Sequence, residues 1–249
     1  MRIFALIILL LPVLLQTSWV MASSNGHSLD AANIDIEDRE SIKRGAKTFV
    51  KYCLNCHSAA LMRYSRIGQD LNLSEDEVRS QLITTDAKIG GVMEVAIDKE
   101  DASRWFGKAP PDLSVIARAR GIDWLYTYLR SFYRDESRPW GVNNTVFKDV
   151  GMPHVLWELQ GLQAPITEHI TDDYGTEQDV IVGLKLVEKG KLSTQTYDDV
   201  VRDLVTFLAY LSEPSKLQRL ALGKWVLMFL AGFLVLIYLL KKEYWKDIH

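Results

Sequence analysis

Apolar positions along this chain recur mainly with the helical period. Between about Glu37 and Cys53, the residues Ile42, Ala46, Phe49, Val50 and Cys53 fall on one face, so the spacing predicts an amphipathic helix that delivers Cys53 to its buried edge. Ser74 and Glu77 have the spacing of a capping box ahead of Val78 and Leu82, which predicts a second helix ending near Thr84. Leu113 to Arg134 reads as two short helices around Gly121. A last helix of the domain runs from a capping Thr196 to Leu211, with Val200, Leu204, Phe207, Leu208 and Leu211 on one face. Gly90-Gly91 marks a bend, and Pro110-Pro111 breaks any helix before it. Residues 135–165 carry Pro139, Gly141, Gly151 and Pro153 without a sustained period, which predicts an irregular excursion over the surface. Only Asp179 to Val187 alternates, loosely, as a short strand or hairpin arm would. The expected fold is mainly α with irregular insertions.

The two ends are more apolar than the rest. Arg2, the apolar run from Ile3 to Leu15 and the small residues around Ala22 read as a signal peptide over residues 1–22, cut after Ala22. Leu220 to Leu240 carries one charge, Lys224, and as a helix rising ~1.5 Å per residue it would span the hydrocarbon core of a bilayer. The expected organisation is an exported domain over residues 23–216, a transmembrane anchor over 217–240 and a cytoplasmic tail over 241–249. Basic residues flank both sides of the span about equally, so the orientation follows from the signal peptide and not from the positive-inside rule.

Composition adds exclusions. A hydrophobic content of 48% rules out low-complexity disorder, and 29 basic against 32 acidic residues leaves no surplus for neutralising phosphates, so no nucleic-acid partner is expected. Setting aside Arg2, Lys224, Lys241, Lys242, Lys246, Glu243 and Asp247 leaves 24 basic and 30 acidic residues in the exported part, a charge of −6. Two acidic clusters, Glu75-Asp76-Glu77 and Asp98, Glu100 and Asp101, are candidates for steering a basic partner, although helix capping alone explains the first.

The two cysteines lie in Cys53-Leu54-Asn55-Cys56-His57, the pattern C-x-x-C-H. Two thiols at this spacing can add to the two vinyl groups of a haem, and the adjacent histidine then lies beneath the iron as an axial ligand. A thioredoxin-like redox pair requires a helix that starts at the first cysteine, whereas here a helix runs into it. A zinc site requires further ligands, and no other cysteine exists. A single haem c leaves the sixth iron position to be filled. Met62 is too close to His57 in sequence to reach the opposite face, which leaves Met93 and Met152, with His154 and His169 as nitrogen alternatives. Gly151-Met152-Pro153 favours Met152, because glycine permits close approach and the following proline extends the methionine backbone.

The C-x-x-C-H pattern, Pro110-Pro111-Asp112-Leu113-Ser114 with Arg118-Ala119-Arg120, the Gly-Met-Pro segment and a C-terminal span together resemble the cytochrome c1 family over the whole mature chain. The resemblance implies a c-type cytochrome domain with one covalent haem c on Cys53 and Cys56, with His57 and Met152 as axial ligands. It further implies that Arg120 holds a haem propionate and that Pro110 and Pro111 pack on the haem rim. Asn143 to Asp149 replaces the tyrosine- and proline-rich stretch common in the family. The implied role is the cytochrome c1 subunit of the bc1 complex, a ubiquinol–cytochrome c oxidoreductase in a bacterial inner membrane with the haem domain in the periplasm. The implied partners are cytochrome b, the Rieske iron-sulfur protein as electron donor, cytochrome c as acceptor and the lipid bilayer, within a dimeric complex. Two other readings fit the haem motif: a free-standing membrane-anchored cytochrome c or oxidase subunit, and a gas-sensing module with an open iron.

Overall fold

The computed structural model describes residues 28–95, 97–171 and 177–246, so the signal peptide expected at residues 1–22 lies outside the described residues. Helix α1 (Arg39–Tyr52) starts at Asp38, whose carboxylate accepts from the backbone N–H groups of Glu40 and Ser41 at 3.0 Å each. It buries Ile42, Ala46, Phe49 and Val50, as the spacing predicts. Strand β1 (Ala59–Arg63) follows, then α2 (Tyr64–Leu71) and α3 (Glu75–Leu82). The expected capping box forms at α3: the Ser74 hydroxyl accepts from Glu77 N–H, and Glu77 accepts from Ser74 N–H at 2.8 Å. Strand β2 (Val92–Met93) pairs antiparallel with β1. Helix α4 (Lys99–Phe106) is capped by Asp98, so both acidic clusters occupy the first turns of helices.

Two short helices, α5 (Ile116–Arg120) and α6 (Ile122–Arg130), flank Gly121 as expected. Gly121 has φ +93°, a conformation that costs a side-chain-bearing residue strain, and this turn redirects the chain between the two helices. Strands β3 (Phe132–Arg134) and β4 (Val142–Asn144) pair antiparallel, and a single helical turn, α7 (Trp157–Gln160), precedes a long hairpin. The hairpin joins β5 (Gly161–Thr171) to β6 (Glu177–Lys189). Helix α8 (Thr194–Ser212) completes the core, and α9 (Lys216–Tyr244) follows after three residues.

The core lies where α8 crosses α1. The rings of Phe49 and Phe207 sit 5.4 Å apart, and Arg44 makes two hydrogen bonds, at 2.6 and 2.9 Å, to Asp203. Gly45 permits this crossing, because a Cβ added there would lie 2.0 Å from the carbonyl oxygen of Asp203. A glycine inside a helix lowers its intrinsic stability, and here that cost is offset by backbone-to-backbone packing.

Three expectations need correction. The fold is not helical alone: three two-stranded antiparallel sheets stand among the described helices. The surface excursion predicted over residues 135–165 contains β4, which pairs back onto β3, the helical turn α7 and the root of the hairpin, and the arm predicted at Asp179 to Val187 is one half of the longest sheet. In its partner β5, Pro165, Glu168 and His169 obscured the strand, since a two-stranded ribbon has an edge on each side and tolerates proline and charge. Finally, α8 is capped by Ser193, whose hydroxyl accepts from Thr196 N–H at 3.2 Å, and not by Thr196.

Helix α9 contains a stretch, Gln218–Tyr244, long and apolar enough to cross a membrane, with none of its most apolar window buried. It extends the expected Leu220 to Leu240 segment at both ends. Glu213 and Pro214 fall between α8 and α9.

Candidate functional site

The C-x-x-C-H segment starts at the C-cap of α1 and forms the turn by which the chain leaves that helix. The carbonyl of Cys53 accepts from the N–H groups of Cys56 and His57 at 3.0 and 2.8 Å, so one turn carries both thiols and the imidazole. Burial pushes the Cys53 thiol up to about 12, with Cys56 adding to the shift, and burial also raises Cys56. Thiols held protonated are poor at disulfide exchange, which counts against the redox-pair reading.

The segment Pro111 to Ser114 docks on this exit residue by residue. His57 Nδ1 lies 2.8 Å from the Pro111 carbonyl oxygen, Leu113 N–H donates to the Ser58 carbonyl at 2.8 Å, Ala60 N–H donates to the Asp112 carboxylate at 2.8 Å, and Leu61 N–H donates to the Ser114 hydroxyl at 3.0 Å. Because a carbonyl only accepts, Nδ1 carries the proton and Nε2 keeps a free lone pair. Burial holds the imidazole below its usual range, although the Pro111 carbonyl and Asp112 pull the other way. A neutral, oriented imidazole is the form that binds a metal. Asp112 is itself locked in place. Its burial raises its pKa, yet the Ala60 N–H and the Ser114 hydroxyl and N–H outweigh that and hold the carboxyl below its ordinary range.

Met152 is half-buried on a different framework. The Tyr128 hydroxyl donates to its Sδ at 3.4 Å. Tyr128 stacks on Trp124, with centroids 4.9 Å apart and planes within 9°, and meets Phe132 edge-on at 5.2 Å. Phe132 in turn stacks on His154 at 4.8 Å. Arg120 caps the column: its guanidinium lies 5.1 Å from the Trp124 ring and 5.5 Å from Phe147, leaving its N–H edge able to reach a carboxylate.

The loop before Met152 is organised by two buried asparagines. Asn144 donates to the Tyr128 carbonyl at 2.8 Å and accepts from Val146 and Phe147 N–H, while Asn143 accepts from Asp149 N–H at 2.9 Å. The segment that departs from the family pattern is therefore a built turn.

Of the other candidate sixth ligands, Met93 and His169 are engaged elsewhere, whereas His154 is buried with its Nε2 lacking a hydrogen-bond partner among the described residues. Met93 is fully buried in β2, opposite Ala59, and Met62 is buried in β1. His154 is buried against Phe132, and burial pushes its imidazole down to about 4 against an opposing contact with Gln160. His169 sits exposed on the hairpin, paired with Asp179. Pro110 is half-buried and Pro111 exposed.

A haem c fits these donors. Two thiols on one turn, an imidazole with its Nε2 lone pair free, a thioether with one lone pair engaged by Tyr128 and the other available, and a stacked arginine are the groups such a cofactor uses. Leu61 and Val115 add exposed apolar surface, 78% and 47% accessible, beside the hydrogen bond joining their segments. The sequence did not reveal the Pro111 carbonyl, Asp112, Ser114, Tyr128 or the asparagine pair. The readable signals were the Asp-x-Ser turn and the four-residue spacing of Arg120, Trp124, Tyr128 and Phe132.

Comparison with known proteins agrees with these features. The model of the Cytochrome C1 family matches residues 32–248. The chain is 49% identical to cytochrome c1 of Allochromatium vinosum, covering 95% of this chain and 96% of that protein. It is 50% identical to a Nitrosomonas europaea protein named ammonia monooxygenase gamma subunit, covering 97% of each chain. Similarity to cytochrome c1 of Rhodospirillum rubrum is lower, at 26% identity over 85% of this chain and 83% of the relative. With a family match over nearly all of the described domain, bacterial relatives at half identity, a C-x-x-C-H turn and a C-terminal helix suited to a single membrane pass, this chain belongs to the cytochrome c1 family, electron-transfer proteins that carry covalent haem c.

Proposed function

We propose that this chain is the haem subunit of a bc1 complex, the ubiquinol–cytochrome c oxidoreductase. It takes one electron at a time from a Rieske iron-sulfur protein and passes it to cytochrome c. The observations that carry the reading are an imidazole fixed on the Pro111 carbonyl at the C-x-x-C-H turn and, separately, a half-buried Met152 thioether held by Tyr128, the two donor types that suit a haem used for electron transfer. Haem c, when bound, supplies the one-electron redox couple. Cys53 and Cys56 would hold it covalently, with His57 Nε2 and Met152 Sδ as the groups that would bind its iron. Arg120 offers its guanidinium edge to a propionate, and Pro110 and Pro111 wall the rim without adding N–H donors. Filling both axial positions would exclude oxygen and other gases. Residues 23–216 lie on the periplasmic side of the bacterial inner membrane, residues 217–240 cross it, and the tail from residue 241 lies in the cytoplasm, next to cytochrome b in a dimeric complex.

The test is to extract the protein in mild detergent through a tag on its C-terminal tail and to record visible spectra before and after adding a quinol. Co-purifying b-type haem, with both haems reduced by quinol, is the expected result. A c-type band alone that quinol leaves oxidised would overturn the assignment in favour of a free-standing cytochrome, an oxidase subunit or a partner of another oxidase, such as the enzyme for which the Nitrosomonas relative is named. Ready binding of carbon monoxide by the reduced protein would instead support the gas-sensing reading.

A further inference from the structure

We propose that Tyr128 is a positioning residue for the Met152 thioether, its hydroxyl engaging one sulfur lone pair so that the other faces the iron and donates to it less strongly. The inference rests on Met152 as sixth ligand. A thioether sulfur has two lone pairs, and a ligating methionine uses only one of them. The hydroxyl of Tyr128 reaches Sδ at 3.4 Å, within hydrogen-bond range for sulfur. The phenol has little freedom to do otherwise. Its ring is sandwiched face-on by Trp124 and edge-on by Phe132, and its own carbonyl is tied to the Asn144 side chain at 2.8 Å. Burial raises the phenol above its ordinary pKa, with Arg120 opposing, so the hydroxyl remains a proton donor throughout the physiological range.

Two consequences follow from elementary bonding. A donor on the sulfur withdraws electron density that ferric iron needs more than ferrous iron does, which favours the reduced state and raises the reduction potential. It also narrows the rotamers open to Met152, which slows departure of the sulfur and keeps the sixth position closed.

The test uses the full-length, haem-loaded protein and four forms: wild type, Tyr128→Phe, Met152→Leu and the double variant. Phenylalanine keeps the contacts to Trp124 and Phe132, and an unchanged thermal midpoint checks that folding is intact. The expected result is that Tyr128→Phe retains the sulfur-to-iron absorption band, lowers the reduction potential and speeds carbon monoxide binding about threefold or more, as loss of one modest hydrogen bond would. Both changes should vanish when Tyr128→Phe is made in the Met152→Leu background. An unchanged potential, or an equal shift with and without Met152, overturns the proposal while leaving the ligand assignment intact. A Met152→Leu spectrum identical to wild type would remove the ligand assignment itself, and the proposal with it.

Discussion

His57 and Met152 are held by opposite means. The imidazole is braced directly by a main-chain group, the Pro111 carbonyl, while the Asp112 and Ser114 side chains dock that segment by accepting from the N–H groups of Ala60 and Leu61. The thioether is held by side chains, through a phenol fixed by neighbouring rings and a loop shaped by Asn143 and Asn144. A backbone brace survives substitution of the residue that makes it, whereas a side-chain brace is lost with its residue. The histidine side is thus the permanent half of the site and the methionine side the adjustable half.

That contrast can be broken in four places. The largest effect belongs to His57→Ala, which should abolish stable haem incorporation, read as loss of the c-type band per mole of protein. Next comes Gly45→Ala on the helix that delivers Cys53. The new Cβ cannot share space with the Asp203 carbonyl, so α1 must separate from α8 at a cost of ~1–3 kcal/mol or more, measured by denaturant unfolding. On the methionine side, Asn144→Ala strips a buried loop of three hydrogen bonds and should cost ~1–3 kcal/mol, with the potential shifting as Tyr128 loosens. The smallest effect should come from Pro111→Ala, which leaves the carbonyl in place and should hardly move the spectrum or the potential. A large change there would mean that the ring, not the carbonyl, supports His57.

Acid provides a finer probe of the histidine side. The folded-state pKa of Asp112 is depressed, so its contribution is complete above the ordinary value of 3.8 and is lost as pH falls through the lower folded value. Asp112→Asn should flatten that acid limb of the unfolding curve, and a wild-type limb of the same shape would show that another group controls it.

The two halves of the site were not equally readable in the sequence. Cys53, Cys56 and His57 are declared by a local spacing, and α1 by its apolar period, because both depend on residues within a few turns of each other. The brace on His57 was hidden because a carbonyl has no residue identity, and Pro111 is 54 positions away. The asparagine turn read as irregular, since two polar residues at the end of a three-residue strand leave no period. The hairpin was half seen: β6 alternates apolar residues, while β5 carries a proline and charges that only an edge accommodates. The need for Gly45 is not legible in α1 alone, because what it accommodates is the Asp203 carbonyl on α8.

The junction between α8 and α9 has a mechanical meaning. Helix α8 lies in the core, and only Glu213, Pro214 and Ser215 separate it from α9, with Arg219 turned back to Glu213 at 2.6 Å. So short a joint, stiffened by proline, acts as a bracket more than as a leash between the domain and α9. On the proposed function, travel between distant redox partners then falls to those partners and not to this domain.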